Sequence, residues 1–126
     1  MSGLFNFTIN SKQDLKFISK ESRLSNLYIN CNCKLDGYYC TNIYVNAEVI
    51  LTNCIVDESI IIDDPKNFLL IRNCMIGNIK CVNIGNNNLS LHIEHNIIYE
   101  NILIQNFYSN NKNISIYIYQ NHGYLI

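Results

Sequence analysis

Acidic residues recur at one place in this sequence, four positions after a repeated asparagine. Asp36, Asp57 and Glu100 occupy that place, whereas Gly77 fills it once. Equivalent residues of stacked strands lie about 4.8 Å apart, so the spacing predicts Asp36 and Asp57 as neighbours on one outer surface. Neighbouring carboxylates raise one another's pKa and serve as acid and base in polysaccharide cleavage. A column of solvated turn residues explains the same pattern without catalysis.

Cysteine and histidine residues offer a second kind of chemistry. Cys31, Cys33 and Cys40 are close enough in sequence to suggest a metal site, but a fourth ligand is missing near them. His92 and His95 need partners from neighbouring strands before they can act as ligands or as acid and base, and a solvated surface explains them equally well. We therefore predict no metal site and no cofactor.

Composition excludes several classes of protein. The chain has 126 residues, of which 48% are hydrophobic and only 15% charged, and this balance is that of one folded domain and not of a disordered chain. A net charge of −1 offers no electrostatic footprint for nucleic acid. No apolar run approaches the ~18 residues of a membrane span, and residues 1–10 lack the pattern of a secretory signal. We expect no membrane association and a reducing location, in the cytosol or a virion.

A repeat of 20 to 25 residues organises the chain. Each repeat places a short apolar strand before an asparagine and a second apolar segment after it. Such a unit cannot bury its own apolar face and must stack on its neighbours. Stacking predicts a structural ladder of hydrogen-bonded side chains at Asn32, Asn53, Asn73, Asn96 and Asn121. It also predicts a buried column of thiols at Cys33, Cys54 and Cys74.

On these asparagines and strands, residues 24–121 resemble the right-handed parallel β-helix class, the pectate-lyase-like solenoids. The resemblance implies an all-β solenoid of about five turns. A pentapeptide-repeat solenoid is the alternative, because asparagine recurs every five residues between Asn73 and Asn88. That fold requires 20 residues in every turn, however, and the repeat here varies in length.

The two ends of the predicted solenoid differ. Within a single domain of residues 1–126, residues 1–23 form a cap that contains a short helix from Ser11 to Lys20, because Ser11 and Asp14 suit a helix start. Residues 24–121 form the coils, and the tail of residues 122–126 is too short to cover the last coil. We predict an exposed interface at that end, formed by Ile116, Tyr117, Ile118, Tyr119, Leu125 and Ile126.

These features favour a non-enzymatic structural or protein-interaction module. Its expected partner is a second copy or another protein bound at the C-terminal end of the solenoid. The abundance of Asn, Ile and Tyr resembles the style of proteins from AT-rich large DNA viruses, so a viral particle or another large assembly is the expected setting. The alternative is a β-helix that binds or cleaves carbohydrate through Asp36 and Asp57, with glycans as its ligands.

Overall fold

A computed structural model describes residues 5–19, 21–108 and 110–123. These residues form twelve β-strands and one short 3₁₀ helix. The strands are β1 (Asn6–Ile9), β2 (Arg23–Ile29), β3 (Cys33–Asp36), β4 (Tyr39–Val45), β5 (Val49–Thr52), β6 (Ile55–Asp63), β7 (Asn67–Arg72), β8 (Met75–Val82), β9 (Leu89–Glu94), β10 (Ile97–Ile104), β11 (Ile114–Tyr119) and β12 (His122–Gly123).

The strands form two parallel sheets that face each other across one core. Sheet A has seven strands in the order β1-β2-β4-β6-β8-β10-β12, and sheet B has five in the order β3-β5-β7-β9-β11. The chain therefore alternates between the sheets, and each complete coil adds one strand to each of them. Five complete coils run from β2 with β3 to β10 with β11. The predicted all-β solenoid of about five turns is confirmed.

Alternation of side chains along each strand builds the core. In β4, Cys40, Ile43 and Val45 are buried, whereas the residues between them are partly exposed. Two adjacent residues, Thr41 and Asn42, both face outward, so the strand bends between two inward positions. Equivalent inward residues stack from coil to coil and form continuous apolar columns. One such column comprises Leu27, Ile43, Ile60 and Ile79.

The corner from sheet B back to sheet A is tight and has one conformation throughout. A single residue with positive φ ends each strand of sheet B, and one residue separates it from the next strand of sheet A. The left-handed region favours glycine and tolerates asparagine, which explains the asparagine that recurs after these strands. The corner residues are Gly37 (φ 83°), Asn53 (55°), Asn73 (55°), His95 (56°) and Gln120 (53°).

Coil length is not constant. Paired asparagines in the second and third coils are 16 residues apart, whereas Asn96 and Asn121 near the other end are 25 apart. The connection from sheet A to sheet B absorbs most of the difference, because it grows from three residues after β4 to nine after β10. This variation departs from the constant 20 residues that a pentapeptide-repeat solenoid requires.

The N-terminal segment differs in detail from the predicted cap. The helix is a 3₁₀ helix from Lys12 to Phe17, shorter than the predicted Ser11 to Lys20, and the chain is already extended at Ile18. The Asp14 carboxylate accepts a hydrogen bond from the backbone N–H of Ser11, as the predicted helix start requires. β1 pairs with β2, so sheet A begins within the segment assigned to the cap. No helix in the described residues is long and apolar enough to cross a membrane.

Candidate functional site

The free edge of β11 dominates the C-terminal end of the solenoid. The carbonyl oxygens of Asn113 and Tyr119 accept hydrogen bonds from β9 residues at 3.0 and 3.3 Å. Backbone groups of a strand point alternately to its two sides. The N–H and C=O groups of Ile114, Ile116 and Ile118 therefore point away from β9, toward the side on which no other described strand pairs.

Nothing in the sequence of β11 protects this edge. The strand contains only Ile, Ser and Tyr, whereas natural edge strands usually carry charge, proline or a bulge that prevents pairing with another chain. Ile118 is 46% exposed although it belongs to the inward-facing set. Ile114 and Ile116 are only partly buried. An uncharged strand with both free backbone groups and uncovered apolar side chains suits addition of a further strand.

Aromatic side chains stack along the outer face of sheet B and end at this edge. Phe68 lies 5.2 Å from His92 between ring centroids, and His92 stacks on Tyr117 at 4.6 Å with an interplanar angle of 18°. The Ser90 hydroxyl lies 2.9 Å from Nε2 of His92 and holds that ring in place. His92 therefore serves as a stacked surface residue here. One face of Tyr117 is occupied by His92, and only its far face is directed toward the next coil position.

A polar cluster lies beside this stack. Nε of Arg72 contacts a carboxylate oxygen of Glu94 at 3.1 Å, and the Glu94 side chain is only 8% exposed. A hydrogen bond to Glu94 raises the pKa of Tyr119 above its ordinary value, because the carboxylate accepts the phenolic proton. His95 packs edge-on against the Tyr119 ring. The pairing of Arg72 with Glu94 and Tyr119 fixes the end of β11 on β9.

The structure thus brings together four of the six residues predicted to form the interface. Ile116, Tyr117, Ile118 and Tyr119 are consecutive on β11, with isoleucines directed inward and tyrosines outward. Leu125 and Ile126 lie outside the described residues. The surrounding cluster of His92, Arg72 and Glu94 was not predicted as part of this end, because only the register of β9 against β11 places it there.

The predicted acidic pair does not form. Asp36 lies at the end of β3 in sheet B, where its carboxylate accepts hydrogen bonds from Thr52 and Asn53 at 2.6 and 2.7 Å. Asp57 lies in β6 of sheet A and forms an ion pair with Arg23. The prediction treated the asparagines before them as equivalent, but Asp36 aligns with Thr52, five residues before Asp57. The two carboxylates therefore share no surface on which they could act together.

The five predicted ladder asparagines fall on three separate columns. Asn32 faces Glu48, from whose N–H its amide oxygen accepts a hydrogen bond. Asn53 and Asn73 are the left-handed corner residues, and Asn53 donates to Asp36. Asn96 and Asn121 lie one position later, at an inward-facing place. The cause is the variable coil length, because equal spacing from the first asparagine drifts off the true register.

Asn96 and Asn121 do form a two-member ladder inside the corner. Asn96 is fully buried and donates from Nδ2 to the Asn121 side-chain oxygen at 3.0 Å and to the Ile71 carbonyl at 3.0 Å. Its own Oδ1 accepts from the backbone N–H of Cys74 at 2.9 Å. These bonds join three successive coils. In the two preceding coils the same inward place is filled by Cys54 and Cys74.

Longer asparagine ladders run along sheet A and were missed in the sequence. Nδ2 of Asn26 donates to Asn6 and that of Asn42 to Asn26, while Asn30 and Asn46 continue a second ladder from Asn10 at the strand ends. The signal was available, because each pair brackets a strand as Asn, apolar, any, apolar, Asn. The three copies are residues 6–10, 26–30 and 42–46.

Buried thiols occupy the core as predicted for two of the three column members. Cys54 and Cys74 stack in adjacent coils, and the N–H of Cys54 lies 3.4 Å from the Cys74 sulfur. Cys33 is not in their column, because it pairs with Val49 at the start of sheet B. Burial raises the pKa of Cys40 to about 12 and that of Cys33 to about 11. Among the described residues, no group of three His, Cys, Asp or Glu is arranged to hold a metal ion.

The largest cleft lies where the short connections of the early coils meet the longer one after β6. Its volume is about 470 Å³, and its lining is mostly asparagine and acidic side chains. Glu48 is committed there to the structure, because its carboxylate accepts hydrogen bonds from Asn32 and from the N–H of Phe68. Asp63 likewise accepts from Asn83. The cleft therefore contains carboxylates that already have structural partners.

Comparison of the chain with protein-family models, with curated proteins and with solved structures found no match.

Proposed function

We propose that this chain is a non-enzymatic structural or protein-interaction module that binds a second copy, or another protein, through the free edge of β11. The observation that carries the proposal is this uncharged edge, along which three backbone positions point away from the sheet. A solenoid with such an end serves as a unit in a larger assembly, and a virus particle is one setting of that kind.

A second copy fits the edge in antiparallel register about a two-fold axis through Ile116. Ile114 of one copy then faces Ile118 of the other, and Ser115 faces Tyr117. Directly opposed residues of antiparallel strands point to the same face, so isoleucines meet on the inner face and polar or aromatic side chains on the outer face. The strand is self-complementary in this register, as a two-fold interface requires.

Carbohydrate binding is less well supported by the geometry. Asp36 and Asp57 are on different sheets, and each is already engaged by protein partners. Aromatic rings that bind sugars present an open face, whereas His92 and Tyr117 cover one another's faces. The arrangement of side chains therefore favours contact with protein.

Sedimentation velocity at low micromolar concentration tests the proposal. We expect a dimer or larger species for the wild type and a monomer for Ile118→Lys, because a charge on the edge opposes pairing with another strand. Tyr117→Lys is the matched control. Tyr117 is 48% exposed against 46% for Ile118, but its side chain points to the outer face and its backbone groups point to β9.

Hydrogen exchange supplies the contrary outcome. A wild-type monomer in which the amides of Ile114, Ile116 and Ile118 are protected shows that the chain covers its own edge, and the proposal is then wrong. Equal dissociation by both lysine variants, with circular dichroism unchanged, also contradicts pairing along the edge, since it assigns the contact to the outer face.

A further inference from the structure

The outer face of sheet A carries a second unusual surface, distinct from the β11 edge. Tyr39, Ile55, Met75 and Ile97 are in register on β4, β6, β8 and β10. We call these four residues the apolar stripe. Ile55 is 39% and Met75 37% exposed, and neighbouring members are separated by one strand spacing of about 4.8 Å. Within the described residues, this is the longest outward column of apolar side chains without a polar interruption.

The stripe lies on strands that cannot accept another strand. β4, β6 and β8 each have a parallel neighbour on both sides, so their backbone groups are already paired. A partner at this surface must therefore bind through side chains alone. An α-helix laid across the strands matches the stripe, because side chains on one helix face recur every 5–6 Å at i, i+3 and i+4.

Two bulges place negative charge beside the stripe. In β6 and in β10, two residues oppose the single residue Gly77 of β8. The extra residues include Glu58 and Glu100, which are both exposed. Because β6 and β10 flank β8 on opposite sides, the two glutamates are on strands about 10 Å apart.

Other charges near the stripe do not cancel these carboxylates. The guanidinium of Arg23 lies 5.0 Å from the Tyr39 ring centroid and forms an ion pair with Asp57, so those two charges balance each other. The corner residues on the other side of the stripe at β6 and β8 are the neutral Asn53 and Asn73. The surface is therefore apolar along its centre and acidic along one side.

We propose that the apolar stripe, together with Glu58 and Glu100, binds an amphipathic helix of a partner protein. That helix carries basic residues seven positions apart beside its apolar face, since seven residues of helix rise about 10.5 Å and match the spacing of the two glutamates. Opposite charges at the side of the contact set the orientation of the helix, and apolar burial supplies the affinity.

Two synthetic helical peptides test this proposal by fluorescence anisotropy with the full-length protein. Both carry a leucine face, and they differ only in having Lys or Glu at the two flanking positions seven residues apart. We expect the Lys peptide to bind more tightly than the Glu peptide. Glu58→Lys and Glu100→Lys are each expected to weaken the Lys peptide by about fivefold, as for loss of an exposed ion pair, and to strengthen the Glu peptide.

Matched controls separate this surface from general charge and hydrophobicity. Glu21→Lys changes the net charge equally at an exposed position outside sheet A, and we expect no change in preference. Met75→Gln removes the centre of the stripe and is expected to weaken binding about tenfold. Leu103→Gln, at 39% exposure on the same face but outside the stripe, leaves binding unchanged.

Three results overturn the proposal. The first is absence of binding of the Lys peptide to the wild type. The second is equal binding of both peptides, and the third is an effect of Leu103→Gln as large as that of Met75→Gln. Circular dichroism of each variant confirms that the sheet is retained. The outcome is independent of the β11 edge, because no substituted residue belongs to β11.

Discussion

Replacing Asn96 with leucine tests how the solenoid satisfies its buried corner. The two side chains have similar volume, so the change removes hydrogen bonds without opening a large cavity. Two buried backbone groups lose their side-chain partner, namely the N–H of Cys74 and the C=O of Ile71. Each orphaned group costs about 1–3 kcal/mol.

The two losses together amount to about 2–6 kcal/mol. Burial of the leucine side chain offsets up to about 2 kcal/mol of that cost. We therefore expect Asn96→Leu to lower the free energy of unfolding by about 2 kcal/mol or more, a large part of the 5–15 kcal/mol typical of a domain.

Urea denaturation followed by circular dichroism measures this change. Asn86→Leu is the matched control, because Asn86 is exposed in the turn before β9 and a surface substitution usually changes stability by less than about 0.5 kcal/mol. If Asn96→Leu is as stable as Asn86→Leu, the hydrogen bonds of Asn96 do not stabilise the corner and the reasoning is refuted.

Three further changes have expected outcomes. Gly77→Ala should destabilise by about 1–3 kcal/mol, because the new Cβ would lie 2.4 Å from the Glu58 carbonyl oxygen, whereas Gly123→Ala, with its nearest contact at 3.6 Å, should be neutral in urea melts. The raised pKa of Cys40 and Cys81, about 12 against an ordinary 9.0, should give stability that is complete below pH 9 and falls toward pH 12 by up to about 1.4 kcal/mol per pH unit and thiol; a double alanine variant should flatten this slope. A thiol reagent at neutral pH should label the half-buried cysteines first and the four buried ones slowly, and rapid labelling of all six would contradict their burial.

The strands and their stacking could be predicted from local chemistry. Alternation such as that of Ile114 to Tyr119 is independent of what the strand pairs with, because successive side chains always point to opposite faces. The absence of a helical repeat and the inability of a coil to bury its apolar face alone then require a stack. Asparagine at corners follows from its tolerance of positive φ, which Asn53 and Asn73 adopt.

The alignment of one coil on the next was decided only by the tertiary structure. Connections and bulges change coil length without disturbing the core, so counting residues from Asn32 placed it wrongly against Asn53 and brought Asp36 to Asp57. Register is set where inward side chains of neighbouring strands interlock and where side-chain amides meet, as at Asn26 and Asn42. Contacts between residues far apart in sequence, such as Arg72 with Glu94 and Gly77 with Glu58, arise from that register and not from spacing along the chain.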